Sequence, residues 1–244
     1  MTYSIIIANK FVNFKLIKTI RSIAIQKCLD ETEVIIVNKD KKNNLNHLSC
    51  LFSNIKFKII NSNDKNISDA FNKGLKLVKN KYIYFIGSGD TFCNKDVLKD
   101  LKKFTYDKKT QLLIGKVLVV GKSKTLISKV FKSKFSLISK LSIPHQGLLM
   151  KKDYFIKYGN FDTKLTYAMD YDLILRCYHD FPKFIFIDKI ICNWPLDGIG
   201  KNKTLKILNE YNFIRKKNKI HNLLFLDIIY IFSKLKFYLK KIFN

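Results

Sequence analysis

Apolar residues over the first hundred positions follow two alternating periods. Ser4–Ala8, Glu33–Val37, Lys56–Ile60 and Tyr82–Ile86 are short apolar runs of strand length. Between them, Phe14–Gln26 carries Leu16, Ile17, Ile20 and Ile23 at helical spacing. Ile67–Val78 sets Ile67, Ala70, Phe71, Leu75 and Val78 on one face, and Lys95–Phe104 reads as a further helix. Strands alternating with helices predict an α/β fold, with a mostly parallel central sheet and helices on both faces. Such sheets bind ligands at the carboxyl ends of their strands. That edge here carries Ala8-Asn9, Val37–Asp40 and Gly87–Asp90.

The second half is less regular. Leu112–Val120, Thr125–Val130, Gly147–Lys151, Phe184–Asp188 and Ile190–Trp194 read as strands, and Asp170–His179 as a helix. A basic, aliphatic segment follows from about Leu205. With no internal repeat or Pro/Gly linker, the expected organisation is one α/β domain over 1–200 and a helical extension over 201–244. In that extension Ile228, Ile231, Phe232, Leu235, Leu239 and Ile242 recur at helical spacing, with Lys234, Lys236, Lys240 and Lys241 mainly on the other side. The helix packs this stripe on the domain or rests it on a membrane, since amphipathicity alone does not choose. Asp227 and the lysines interrupt any bilayer-spanning run.

Composition narrows the function. The net charge is +27, yet the only arginines are Arg21, Arg176 and Arg215, and the only glutamates Glu31, Glu33 and Glu210. Sequence-specific nucleic-acid readout leans on arginine forks, so no nucleic-acid partner is expected. The excess charge favours phosphates, nucleotide sugars or an anionic membrane surface. Cys28, Cys50, Cys93, Cys177 and Cys192 form no C-x-x-C pair and read as small core residues of a reducing compartment. Ser4–Ala8 is too short for a signal-peptide core. No G-x-G-x-x-G turn and no Walker loop is present, which disfavours dinucleotide-binding and P-loop folds.

Three segments carry candidate chemistry. In Tyr82-Ile-Tyr-Phe-Ile-Gly-Ser-Gly-Asp-Thr91 an apolar strand runs into small residues and Asp90. Small residues admit a phosphate-bearing ligand, and one carboxylate holds a hard cation on it. A plain turn in which Asp90 caps the next helix is the alternative. Gly159-Asn-Phe-Asp162 precedes Ala168-Met-Asp-Tyr-Asp-Leu-Ile-Leu-Arg176, where helix capping explains one of Asp170 and Asp172 but not both. In Asp64–Gly74, Asp69 and Asn72 share a side of the helix, facing a ligand or solvent, and Gly74 is an odd residue inside a helix.

In this order, the segments resemble family 2 glycosyltransferases of the GT-A fold, bacterial surface-polysaccharide enzymes above all. The resemblance runs from Ser4 to Trp194 through Ile7-Ala8-Asn9, Asp64–Gly74, Phe85–Phe92, His145-Gln146, Gly159–Asp162 and Ala168–Arg176. It implies an inverting hexosyl- or N-acetylhexosaminyl-transferase using a nucleotide-sugar donor, a UDP-sugar, and a divalent metal, Mg2+ or Mn2+. The implied acceptor is a glycan or a lipid-linked sugar. Asp90 would hold the metal and Asp170 act as base. Ala8, Asn9, Asn38, Asp40, Asp64, Asp69, Asn72, Gly87, Ser88 and Gly89 would line the donor, and His145, Gln146 and Asp172 the acceptor side. With that acceptor and the lysine cluster on the final turns of the C-terminal helix, the expected place is cytoplasmic, peripheral at the inner face of the cell membrane through about Leu223–Phe243. The sequence departs from the family at Asn38-Lys39-Asp40-Lys41, which lacks a glycine, at Asn66, and at Gly87. A degenerate, non-catalytic domain serving as a membrane- or partner-binding module is the rival reading, and retention of both Asp90 and Asp170 argues against it.

Overall fold

The computed structural model describes residues 3–121, 125–128, 133–138, 143–196 and 202–242. The elements are β1 (Tyr3–Asn9), α1 (Phe14–Ala24), β2 (Thr32–Asn38), α2 (Leu48–Leu51), β3 (Lys56–Asn61), α3 (Ile67–Leu75), β4 (Tyr82–Gly87), β5 (Thr91–Phe92) and α4 (Val97–Lys102). They continue as β6 (Leu112–Val120), β7 (Thr125–Ile127), β8 (Leu148–Lys151), α5 (Lys152–Tyr158), α6 (Met169–Leu175), β9 (Phe184–Pro195), α7 (Thr204–Lys217) and α8 (Leu223–Ile242). Lys129 and Val130 of the expected strand Thr125–Val130, the expected boundary at 200/201 and Phe243 of the expected membrane segment lie outside the described residues.

Strands β3-β2-β1-β4 are parallel, with Ile6 opposite both Ile35 and Phe85. Beyond β4 the sheet continues β8-β6-β9-β5, β8 running antiparallel to β4 and β6, and β6 parallel to β9. β9 is one strand where two were expected. The break appears as a bulge, with register shifts at Gly115/Lys116 and Lys116/Val117, and bulges increase bending and twist. The sheet has to curl. Gly87 and Thr91 are at most about 15 Å apart along the chain, whereas the four strand steps from β4 to β5 would span about 19 Å if flat.

Alternation along the strands makes two cores. Tyr3, Ile5 and Ile7 pack with Leu16, Ile20 and Ile23 of α1 and with Leu98 and Leu101 of α4. On the other face Ile6 packs with Phe71 of α3, Tyr154 of α5, Ile174 of α6 and Ile214 of α7. Gly74 now has its reason: a Cβ there would sit 2.4 Å from Ile6 Cγ2. Helix propensity favours alanine over glycine by about 1 kcal/mol, but overpacking a close-packed core costs about 1–3 kcal/mol. The 2.4 Å contact puts the cost at the upper end, so Gly74→Ala is expected to lower unfolding stability by a net of about 2 kcal/mol. A urea midpoint equal to or above the parent's would mean that α3 lifts off β1 freely.

The C-terminal helices divide in role. Ile214 and Ile220 belong to the core beneath α6, and Arg215 is fully buried, its Nη1 donating to Ile138 O at 2.9 Å. α8 packs on α7 through fully buried Leu226, the Tyr230 hydroxyl on Asn209 Oδ1 (2.7 Å) and the Asp227–Lys216 pair. The stripe Ile228, Ile231, Phe232, Leu235, Leu239 and Ile242 faces away from the domain and is exposed throughout. It is not the packing face. Among the described residues no helix is long and apolar enough to cross a membrane.

Candidate active site

Asp90 sits in the turn after β4. Gly89 adopts φ +113° there, a conformation that side chains disfavour. Asp90 Oδ2 accepts from the Gly87 N–H at 3.0 Å. Thr19, a polar residue on the buried face of α1, supports the turn: its hydroxyl donates to Asp90 O (2.7 Å) and accepts from the Gly89 N–H (2.9 Å). Asp90 is buried and leads into β5, and α4 starts later with Asp96 at its cap. Helix capping is therefore not its role.

Asp170 is the second residue of α6. Its Oδ1 accepts from the Tyr171 N–H (2.9 Å), and its Oδ2 lies 3.4 Å from His145 Nδ1. The next residue, Gln146, donates from Nε2 to Asp90 Oδ2 at 3.3 Å. Adjacent residues of one tight turn, His145–Gly147, thus contact the two carboxylates and bring them into one site. His145 also packs edge-on against Phe71, ring centroids 5.7 Å apart.

Asp172, expected on the acceptor side, ties α6 to α7 instead. It is 0% exposed. Its Oδ2 accepts from Arg176 Nε (2.9 Å) and Nη2 (2.7 Å), and its Oδ1 from Lys217 Nζ (3.2 Å) and Asn218 Nδ2 (3.3 Å). A buried carboxylate with a cation at each oxygen is not available to an incoming hydroxyl.

The ends of β1, β2 and β3 are locked by an asparagine ladder set by register. Asn38 is 0% exposed; its Oδ1 accepts from Asn9 Nδ2 (2.9 Å), and its Nδ2 donates to Asp40 O (2.7 Å) and Asn61 Oδ1 (3.1 Å). This side chain, expected at the donor base, is engaged within the protein. Asp40 accepts from the Val12 N–H (3.0 Å) and Asn43 Nδ2 (2.9 Å), and these bonds hold its carboxyl below the usual range. Ala8 O accepts from the Ser88 N–H at 3.4 Å, which joins the ends of β1 and β4.

Asn9 Oδ1, Ser62 Oγ and Asp64 Oδ1 are buried with no hydrogen-bond partner. Lys39 Nζ lies beside Asp64, donating to its carbonyl (2.6 Å) and 3.9 Å from Oδ2. A buried acceptor left unpaired costs about 1–3 kcal/mol, so such atoms mark where ligand or water donors belong. Asp69 and Asn72 serve α3. Asp69 accepts from the Lys65 N–H (2.9 Å) and pairs with Lys73, and Asn66 caps the helix by accepting from the Asp69 N–H (3.0 Å). Asn72, expected at the donor, exchanges two hydrogen bonds with the Phe161 backbone, at 2.9 and 3.0 Å.

The residues fit a divalent cation at Asp90. Among the described residues no group of three or more His, Cys, Asp or Glu could hold one, so a single carboxylate would share it with ligand oxygens, as hard cations with phosphates often require. A Cβ on Gly87 would stand 3.1 Å from Asp90 Oδ2, so glycine there keeps the space around the carboxylate open.

Sequence reasoning missed Thr19 and Glu210. Thr19 interrupts the apolar stripe of α1, and Glu210 is a rare glutamate whose carboxylate accepts three backbone N–H groups just before α6. Either oddity was a usable signal.

The family model for glycosyl transferase family 2 matches residues 4–170. The poly(ribitol-phosphate) beta-N-acetylglucosaminyltransferase TarP of Staphylococcus aureus is 31% identical over 121 residues, 48% of this chain; the match spans 37% of that relative's length. A PGL/p-HBAD biosynthesis glycosyltransferase of Mycobacterium bovis is 23% identical over 72% of this chain and 69% of its own. Among solved structures, S. aureus TarS 1-349 in complex with UDP superposes with a TM-score of 0.71 at 17% identity, covering 94% of this chain and 70% of that one. The mannosyltransferase PcManGT of Pyrobaculum calidifontis, in complex with GDP-Man and Mn2+, gives 0.66 at 12% identity, covering 93% and 69%. These likenesses fix the fold as the curled α/β sheet of GT-A enzymes, and with the family match over most of the folded core the chain belongs to glycosyl transferase family 2.

Proposed function

We propose that this chain transfers a sugar, with inversion, from a UDP-sugar to a hydroxyl of a surface glycan or its lipid-linked precursor. The observation that carries the reading is the pairing of Asp90 and Asp170 through His145-Gln146 at the ligand edge of the sheet. Asp170, beside His145 and among the described residues paired with no lysine or arginine, takes the proton of the acceptor hydroxyl as it attacks the anomeric carbon. Asp90 would hold a divalent cation, Mg2+ or Mn2+, which when bound offsets the charge of the leaving diphosphate. Asn9 Oδ1, Ser62 Oγ and Asp64 Oδ1 offer acceptors to the N–H and O–H groups of base and ribose. A relative named as a poly(ribitol-phosphate) beta-N-acetylglucosaminyltransferase and the TarS complexes with UDP and UDP-GlcNAc support this donor class. The test is thermal stabilisation by UDP- and GDP-sugars with Mn2+ present. A bound donor at a hundred times its Kd adds about 2.7 kcal/mol. Stabilisation by UDP-sugars is expected, and a panel that leaves Tm unmoved would overturn the reading.

The same proposal includes a seat on an anionic leaflet, at the inner face of the cell membrane. The outward stripe of α8 carries Ile231, Phe232 and Leu235 between Lys234 and Lys236, the arrangement of an interfacial helix. Each lysine near anionic lipid contributes about 1 kcal/mol. Flotation with anionic vesicles is expected to lose about tenfold in affinity for Phe232→Glu/Leu235→Glu and to weaken with salt. Undiminished binding by the double variant would remove α8 as the anchor.

A further inference from the structure

We infer that Glu210, on α7 and outside the span matched by the family model, is a positioning residue for the proton-accepting carboxylate of Asp170. The inference rests on the transfer reading above. Its observation is a built anion site that the protein fills with its own side chain. Glu210 Oε1 accepts from the Thr166 N–H (3.0 Å), and Oε2 accepts from the N–H groups of Tyr167 (2.9 Å) and Ala168 (2.8 Å). Three successive backbone donors converging on one carboxylate form a backbone nest.

The nest lies directly before α6, where Ser68 Oγ also reaches Leu165 O (3.4 Å) and Met169 Sδ (2.9 Å), but no side chain caps the helix. Its cap residue is Ala168, which has no side-chain oxygen and makes no capping bond. The helix spans only Met169–Leu175, too short to hold its own position. Asp170 is its second residue. The position of the carboxylate is thus set by the three residues Glu210 grips and by the Asp172 cluster, where Lys217 and Asn218 of the same α7 region hold the next turn. Tyr211, next to Glu210, packs against Tyr171 with ring centroids 4.4 Å apart and the planes tilted by 43°. α7 therefore grips the backbone before Asp170 and the side chains after it, and leaves Asp170 itself turned toward His145. In functional terms α7 belongs to the catalytic unit, and α8 alone is the appendage.

A displacement of about 1 Å at a reacting group costs on the order of 100-fold in rate. Glu210→Ala is expected to lower kcat by 10- to 100-fold or so, with the Kd for the UDP-sugar within about twofold of the parent, because Asn9, Ser62 and Asp64 lie at the end of β1 and in the loop after β3. Glu210→Gln keeps one oxygen for Tyr167 and Ala168 and should fall between. Amide hydrogen exchange at 166–168 should speed up in the same order. Asn209→Ala, which removes only the contact to Tyr230, should leave kcat unchanged. The inference is overturned if Glu210→Ala turns over like the parent, or if donor affinity and kcat fall together in both Glu210 variants, as general loosening of the fold would cause. A parent enzyme that transfers nothing counts against the proposed function instead; amide exchange then decides whether Glu210 holds 166–168, and unchanged exchange overturns the inference.

Discussion

Asp170→Asn is expected to leave a folded, donor-binding protein that transfers sugar about 10²- to 10⁴-fold more slowly. The substitution is nearly isosteric. An asparagine oxygen can still accept from the Tyr171 N–H as Oδ1 does now, so the first turn of α6 survives. What is lost is the basic oxygen beside His145. The neighbouring aspartate supplies the contrast. Asp172→Asn removes a charge facing Arg176 and Lys217, and breaking a buried pair costs about 3–5 kcal/mol. The lower end applies here, since Lys217 is 38% exposed. One variant should therefore be stable and inactive, the other unstable and, where folded, active. Single-turnover transfer at saturating donor, read beside a urea midpoint, separates them. An Asp170→Asn enzyme within tenfold of the parent would show that another group takes the proton.

The parallel half of the fold was legible because β1, β2 and β4 are covered on both faces and so read as unbroken apolar runs. Elements whose partners are distant in sequence were harder. β5 is two residues long and exists by pairing with Cys192 and Asn193. α5 begins at Lys152, immediately after β8, with no turn signal between. The bulge in β9 reads as a gap because Asp188 and Lys189 interrupt the apolar pattern. For α8 the period was visible, but which side meets the domain is decided by Leu226 and Tyr230 against α7. The site divides in the same way. Asp90 and Asp170 follow from strand-end and helix-start chemistry. Asn38, Asn72 and Asp172 stand in the expected places, yet each is held by a group that only the tertiary fold supplies: Asn61, the Phe161 backbone and Lys217.

The departures from the family pattern acquire physical roles on the same grounds. Asn66 stands where a glycine was expected, and its side chain caps α3 while its Nδ2 reaches Thr163 O at 2.8 Å. Asn38 stands where the family carries an aspartate, and it joins the ends of three strands. Two carboxamides at that junction satisfy each other as donor and acceptor, which two carboxylates in its place would not. The cysteines divide as well: Cys177 and Cys192 are core residues, burial pushing the Cys177 thiol up to about 11, while Cys50 is exposed.

Asp90→Asn is expected to abolish the metal dependence of donor binding and to lower transfer by about 10²- to 10³-fold, the loss typical of removing one preorganised electrostatic contact. The turn itself should persist. Gly87 N–H and Gln146 Nε2 both donate to Oδ2, and an asparagine oxygen can take that place. Its amide group then replaces the second carboxylate oxygen, so a donor stands where an acceptor was and the negative charge is gone. Neither change suits a hard cation, which prefers anionic oxygen. The Thr19 hydroxyl bonds only backbone groups of the turn, Asp90 O and the Gly89 N–H, and holds it in either variant. The measurement is a UDP-sugar titration of parent and variant in Mn2+ and in chelator. The parent should bind more tightly in Mn2+, and the variant equally in both. Mn2+-enhanced binding together with near-parental turnover in Asp90→Asn would make the Gly87–Asp90 turn a structural feature only.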